Sequence, residues 1–179
     1  MKRYVIEESP FSYFLTADTR SAWLWLVVRI YVGWIWLEAG WGKFNNPAWF
    51  GESAGSAIRG FAQGALSKTA GLHPDVQWWY ADFLQNIVLA HSFLWSHIIV
   101  FGELAVGLGL ILGCLTGLAA FFGLFMNLNF MLAGTVSMNP IMFACSIGLV
   151  LAWRVAGYVG LDRYVLPLLH RSIRPRLHG

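Results

Sequence analysis

The sequence predicts an all-α polytopic membrane protein: a four-transmembrane-helix bundle whose long first extramembrane connection carries short amphipathic helices. Three observations lead there. Of the 179 residues, 58% are hydrophobic and only 12% charged, whereas a soluble domain carries roughly 45–50% apolar and about 25% charged residues. From Leu104 to Trp153, fifty consecutive positions carry no charge, room for two spans of about 20 residues with tight connections. Ten Trp, six Tyr and thirteen Phe suit aromatic belts at a lipid–water boundary. Together these exclude a soluble monomer, a disordered chain and, with only two cysteines, a disulfide scaffold. The net charge of +3 is small and scattered, so nucleic acid is not an expected partner. No segment alternates with the period of two of a barrel strand, and a bilayer accepts only helices or closed barrels.

The chain reads as one domain, residues 1–179. Its N-terminus does not read as a cleavable leader, because Glu7, Glu8 and Asp18 interrupt it, so insertion falls to the first span. That span covers about 22–41. In the connection 42–92, Ser53 is placed to cap a short helix with Ile58, Phe61 and Ala65 on one face. Asp75 is placed to cap a second, with Val76, Tyr80, Phe83, Ile87 and His91 at helical spacing. Trp78, Trp79 and Tyr80 direct this second helix to the membrane surface or the bundle end. The spans 93–113 and 115–134 are separated by Gly113-Cys114-Leu115-Thr116-Gly117. The fourth, 140–160, follows Ser137-Met138-Asn139-Pro140.

Four spans place both termini on one side. That side carries Lys2, Arg3, Arg20, Arg163, Arg171, Arg174 and Arg176, against Lys43, Arg59 and Lys68 in the connection. The excess predicts a multi-pass protein of the cell membrane with cytoplasmic termini and the 42–92 connection outside. Cys114 then lies near the inner end and Cys145 near the outer end, roughly 20 Å apart in depth at about 1.5 Å per residue. They cannot form a disulfide and read as packed thiols.

An ionisable residue inside a span is a functional candidate by default. Arg29, Glu103 and Arg154 are the deep ones. Rise arithmetic puts both arginines about 10 Å from the cytoplasmic face and Glu103 near mid-depth, so Glu103 is expected to bridge one or both. Two readings stay open: a buried ion cluster that only fixes helix register, or a pocket in which the arginines hold quinone oxygens and Glu103 exchanges a proton. A second polar set comprises Glu38, Lys43, Asn127, Asn129 and Asn139. Asn127 shares the face of Ala120, Gly123 and Gly134, a helix–helix seam where interhelical hydrogen bonding is the plainer reading. Asn129 points elsewhere, and Asn139 suits loop capping. Glu38 lies opposite Arg29 on the first helix, so burial of Arg29 with Gly33, Trp36 and Gly40 turns Glu38 outward. Lys43 and Arg59 are the better candidates for an anionic substrate, with Asn127 and Asn129 as weaker contacts. His91 and His97, six apart, are out of phase for a shared metal. There is no CxxC, no CxxCH, no Gly-rich phosphate loop and no His pair four apart; no metal, haem or flavin site is predicted.

The chain resembles the DoxX/DoxD family of small membrane proteins over most of its length. The resemblance is carried by Arg29-xxx-Gly33-xx-Trp36-Leu37-x-Ala39-Gly40-xx-Lys43, by Gly102-Glu103 with Gly107, and by Asn127-Leu128-Asn129-Phe130-Met131-x-Ala133-Gly134. Asn139-Pro140 and Ala156-Gly157-xx-Gly160-Leu161-Asp162 complete it. The third-span motif and the ending are closer to DoxD than to short DoxX proteins. This resemblance implies a subunit of thiosulfate:quinone oxidoreductase, which oxidises thiosulfate to tetrathionate and passes electrons to membrane quinone. It also implies a DoxA-like or other redox partner. Only residues 161–179 follow the predicted fourth span, so that partner is expected as a separate chain.

Three functions follow. In a quinone-linked oxidoreductase subunit, Arg29 and Arg154 orient the quinone, Glu103 exchanges the proton, and thiosulfate approaches Lys43 or Arg59 from outside. In a non-catalytic scaffold, the tails and the connection dock soluble redox or detoxification enzymes. A small-molecule transporter is the third; four spans make a thin pore wall without a homo-oligomer, and no discontinuous helix pair is evident.

Overall fold

The computed structural model describes residues 9–173, with side chains to residue 168. All regular structure among them is helical, as the composition required. Helix α1 is Pro10–Thr16, capped by Ser9 with proline in its first turn. A 3₁₀ turn leads into α2, Ala22–Phe44. The connection holds α3, Ser56–Leu66, and α4, Trp78–Phe83, which continues through a π-turn over Leu84–Val88. Then come α5, Ser92–Leu112, α6, Thr116–Leu132, and α7, Asn139–Leu151. A single turn, α8 (Trp153–Ala156), precedes α9, Asp162–Ile173.

Helices α2, α5, α6 and α7 close into a ring, each packed on the next and α7 returning to α2. Small residues set the register. A Cβ at Gly107 would stand 2.6 Å from the Leu37 amide nitrogen, and one at Gly40 would stand 2.9 Å from that of Leu104. The α2 and α5 backbones therefore touch along an antiparallel seam, the close approach that small residues permit in membrane bundles. Gly102 against Met126 and Gly109 against Ala119 fix α5 on α6 in the same manner, and Gly117 against Trp153 fixes α6 on the last helical segment. The bundle core comprises Val32, Trp36, Val106, Leu110, Ala120, Met142, Leu149 and Ala156.

The connection builds a second core at one end of the ring, from Ile58, Ala62, Ala65, Val76, Tyr80, Leu84, Val88 and Ala133. We call this the loop end, and the end carrying α1 and α9 the tail end. Both short helices were expected, but their caps differ: Gly55 precedes α3 and Gln77 precedes α4. The buried stripe is Val76, Tyr80, Leu84 and Val88, while Ile87 and His91 are exposed. A steady step of four residues, sustained through the π-turn, replaces the mixed helical spacing read from the sequence.

Two helices, Thr19–Phe44 and Ser92–Leu112, are long and apolar enough to cross a membrane. Thr116–Leu132 and Asn139–Leu151 are apolar but shorter. The expected fourth helix, 140–160, is interrupted at Ala152, which leaves helical geometry at φ −95° and ψ 19°. Large apolar side chains such as Trp23, Trp34, Phe101, Leu118 and Phe125 are more than half exposed around the ring. Such a surface suits lipid rather than water. Both cysteines are free and half-buried.

Candidate functional site

Among the described residues three charged side chains are buried, Arg29 and Asp162 at one end of the bundle and Glu103 at the other. At the tail end, Arg29 is 1% exposed. Its guanidinium donates to the carbonyls of Ala156 (3.2 Å) and Val159 (2.7 Å). Asp162, 2% exposed, accepts from the Leu115 amide at 2.6 Å and the Thr116 amide at 2.8 Å. These are the first free N–H groups of α6. Gly113 and Leu115 lie in the left-handed region (φ 65° and 50°). Asp162 thus fastens the tight turn between α5 and α6. A side chain at Gly113 would collide with the Arg29 guanidinium, and one at Gly157 with the Asp162 carboxylate. Arginine, aspartate and glycines form a clasp joining α2, the α5–α6 turn and the start of α9.

At the loop end, Glu103 is 1% exposed and pairs with Lys43, whose Nζ lies 2.7 and 2.9 Å from the two carboxylate oxygens. Lys43 keeps 21% of its side chain exposed and stands over the Trp49 ring. The pair is therefore reachable from water on one side and buried on the other.

Helices α6 and α7 add polar groups at this level. Trp36 Nε1 on α2, both amide atoms of Asn127 and the Ser146 hydroxyl are buried and find no hydrogen-bond partner among the described residues; at the tail end the same holds for Arg29 Nε and the Thr116 hydroxyl. The interhelical bond expected of Asn127 is absent there. Beyond this level lies a layer of Val32, Leu110, Ala120 and Leu149, each with no exposed surface.

A groove of about 670 Å³ opens beside the polar level, between α5 and α6 and under α3 and α4. It extends from Asn129, Phe130 and Tyr80 to Cys114 and Leu115, roughly 22 Å along α6 at about 1.5 Å per residue. Its walls are almost wholly apolar. The polar exception is its loop end, where the Tyr80 hydroxyl donates to the Asn129 carbonyl at 2.8 Å. Burial pushes the Tyr80 phenol up to about 12, so it remains a neutral donor at ordinary pH. Gly102 and Met126 line the groove and are the chain neighbours of Glu103 and Asn127.

Over residues 24–174 the chain matches the family model described as TQO small subunit DoxD. The chain belongs to the DoxD family. No curated protein and no solved structure matches it. Membership and the two long apolar helices fit a membrane protein.

The DoxD chain does not assemble the expected triad of Arg29, Glu103 and Arg154. Helix α5 is shifted along α2, so that Glu103 faces Gly40 near the end of α2, while Arg29 faces Gly113. The ten residues from 103 to 113 correspond to about 15 Å, beyond the reach of an arginine side chain. Arg154 is exposed and lies against the Trp153 ring. The break at Ala152 ends the continuous helix along which its depth is reckoned. Lys43, read as a solvent-side anion contact, is the partner of Glu103. Arg59 is exposed and donates to Ser92 at 2.7 Å. Glu38 is exposed opposite buried Arg29, and Asn139 donates to the Thr135 carbonyl. Among the described residues no group of three His, Cys, Asp or Glu side chains could hold a metal. Asp162 and Ser146 escaped the sequence reading. Asp162 stood only in the terminal motif, where two nearby glycines hinted at a crowded carboxylate.

Proposed function

We propose that this chain is the quinone-binding membrane subunit of a thiosulfate:quinone oxidoreductase, working with a DoxA-like partner. Family membership supports the reaction class, and the α5–α6 groove supports the quinone. A long apolar groove with a phenol and an amide at one end matches an isoprenoid tail joined to a ring with two carbonyl oxygens. When bound, a quinone supplies a two-electron, two-proton acceptor, matching the two electrons released as two thiosulfates join through a new sulfur–sulfur bond into tetrathionate.

The chain's own residues divide the remaining work. The groove walls hold the tail and exclude water. Asn129, whose amide keeps a second N–H beside the one donated to the Phe125 carbonyl, orients a quinone carbonyl, and the Tyr80 phenol fixes the Asn129 backbone beside it. Glu103 holds and exchanges protons at its carboxylate oxygens, with Lys43 balancing the charge and connecting it to the loop end. Thiosulfate approaches that end, where Lys43 is partly exposed and Arg59 exposed. In this reading all four long helices cross the membrane. Helix α6, and α7 with α8, extend about 26 and 27 Å at 1.5 Å per residue, close to a hydrocarbon core of about 30 Å. The termini lie in the cytoplasm and the loop end outside.

The groove carries this proposal, and extraction tests it. Purified protein should release membrane quinone into organic solvent. The variant Ala105→Trp, at an exposed position that lines the groove, should lose the quinone yet keep the wild-type circular dichroism. Recovery of phospholipid alone, or full quinone retention in a folded Ala105→Trp protein, contradicts the proposal.

A further inference from the structure

The unpartnered polar atoms near the level of Glu103 come from three helices, α2, α6 and α7. The Trp36 Nε1 atom lies 3.1 Å from where a Cβ on Gly123 would be. The Trp36 ring lies 6.2 Å from that of Phe130. The indole therefore meets α6 at Gly123, one turn from Asn127 on the same buried face. The opposition of Gly117 and Trp153 sets the α6–α7 register and brings Ser146 level with residues 123–127. Contacts of Gly102 with Met126 and Gly109 with Ala119 place Glu103 at that level too. Exposure is 2% at Trp36 and 0% at Asn127 and Ser146.

Leaving such groups unpaired costs about 1–3 kcal/mol each, so a native bundle has reason to give them a ligand. Their chemistry specifies it. Trp36 is donor only, Asn127 offers two donors and an acceptor, and Ser146 can do either. An anion would satisfy the donors but leave the Asn127 carbonyl oxygen, itself an acceptor, without a donor. Water presents two donors and two acceptors, and buried water typically makes about three hydrogen bonds.

We propose that Trp36, Asn127 and Ser146 hold buried water next to Glu103, forming a proton relay that opens only toward the loop end. The dry layer of Val32, Leu110, Ala120 and Leu149 closes it toward the tail end. Glu103 takes and returns its proton through this water and past Lys43, without a path through the bundle. This inference rests on proton exchange at Glu103 in the function proposed above, and on neither the groove nor thiosulfate.

X-ray radiolysis of the purified full chain in detergent tests the water, because hydroxyl radicals form where water is bound. Trp36 should be labelled despite its burial, and the label should be lost in Asn127→Leu and in Ser146→Ala. Infrared hydrogen–deuterium exchange tests the relay. The carboxyl signal that disappears in Glu103→Gln should exchange more slowly in both variants. The Ser146→Ala variant removes one atom and keeps the test valid should Asn127→Leu misfold. An unlabelled Trp36, or unchanged Glu103 exchange in folded Ser146→Ala, overturns the proposal. Quinone retention in the extraction experiment would survive either result, so the two ideas fail separately.

Discussion

The buried charges at the two ends of the bundle have opposite surroundings. At the tail end Arg29 donates to two backbone carbonyls, and Asp162 accepts from two backbone amides. Glycines at 113 and 157 leave no space around either. At the loop end Glu103 bonds to a lysine side chain that reaches water, with unpartnered polar atoms at its level and a groove beside it. A charge bound to backbone holds the chain in one conformation. A charge bound to a partly exposed side chain can change protonation state without dismantling a turn. The difference supports a structural part for the first end and the proposed proton chemistry for the second, though a sequence presents both as ionisable residues in apolar helices.

Substitutions that separate stability from activity can break this contrast. The largest effect is expected from Asp162→Ala, which frees two amide groups and leaves Arg29 without its nearby negative charge. A loss of about 3–5 kcal/mol should lower the melting temperature by roughly 10 °C or more, measured by thermal unfolding in detergent. Next comes Glu103→Gln, which should reduce quinone reduction about 100-fold or more while costing only about 1 kcal/mol of stability, since Lys43 can turn to water. A melting shift as large as that of Asp162→Ala would erase the contrast.

Smaller effects sharpen it. Gly40→Ala inserts a methyl against the Leu104 backbone and should destabilise by about 1–3 kcal/mol, whereas Gly42→Ala meets nothing within 4 Å and should be neutral or stabilising by up to about 1 kcal/mol. Parallel melts of the two variants test the α2–α5 seam. Least is expected from Arg154→Gln. The residue is exposed against Trp153, so stability should stay within about 0.5 kcal/mol and quinone reduction should match wild type.

Much of the fold was legible because lipid imposes simple rules. Charge-free length located α5, α6 and α7, and the Gly113–Gly117 and Ser137–Pro140 segments located the turns. The outward turn of Glu38 followed from helical phase alone. The site was less legible, for identifiable reasons. Phase gives the buried face of one helix but not its shift along its neighbour, so Glu103 was matched to Arg29 when the close approach of Gly40 and Gly107 to α5 and α2 matches it to Lys43. Depth reckoned at about 1.5 Å per residue also assumes an unbroken helix, and the helix ends at Ala152, before exposed Arg154. Asp162 lay beyond the last predicted span, where an acidic residue ordinarily meets water; only the packing of α9 under the α5–α6 turn buries it.

The most direct test is thiosulfate-dependent quinone reduction in native membranes whose natural chain is replaced by the Glu103→Gln variant, with the amount of folded protein matched to wild type. A rate reduced about 100-fold or more is the predicted result. A wild-type rate would contradict the assignment of proton chemistry to the loop end.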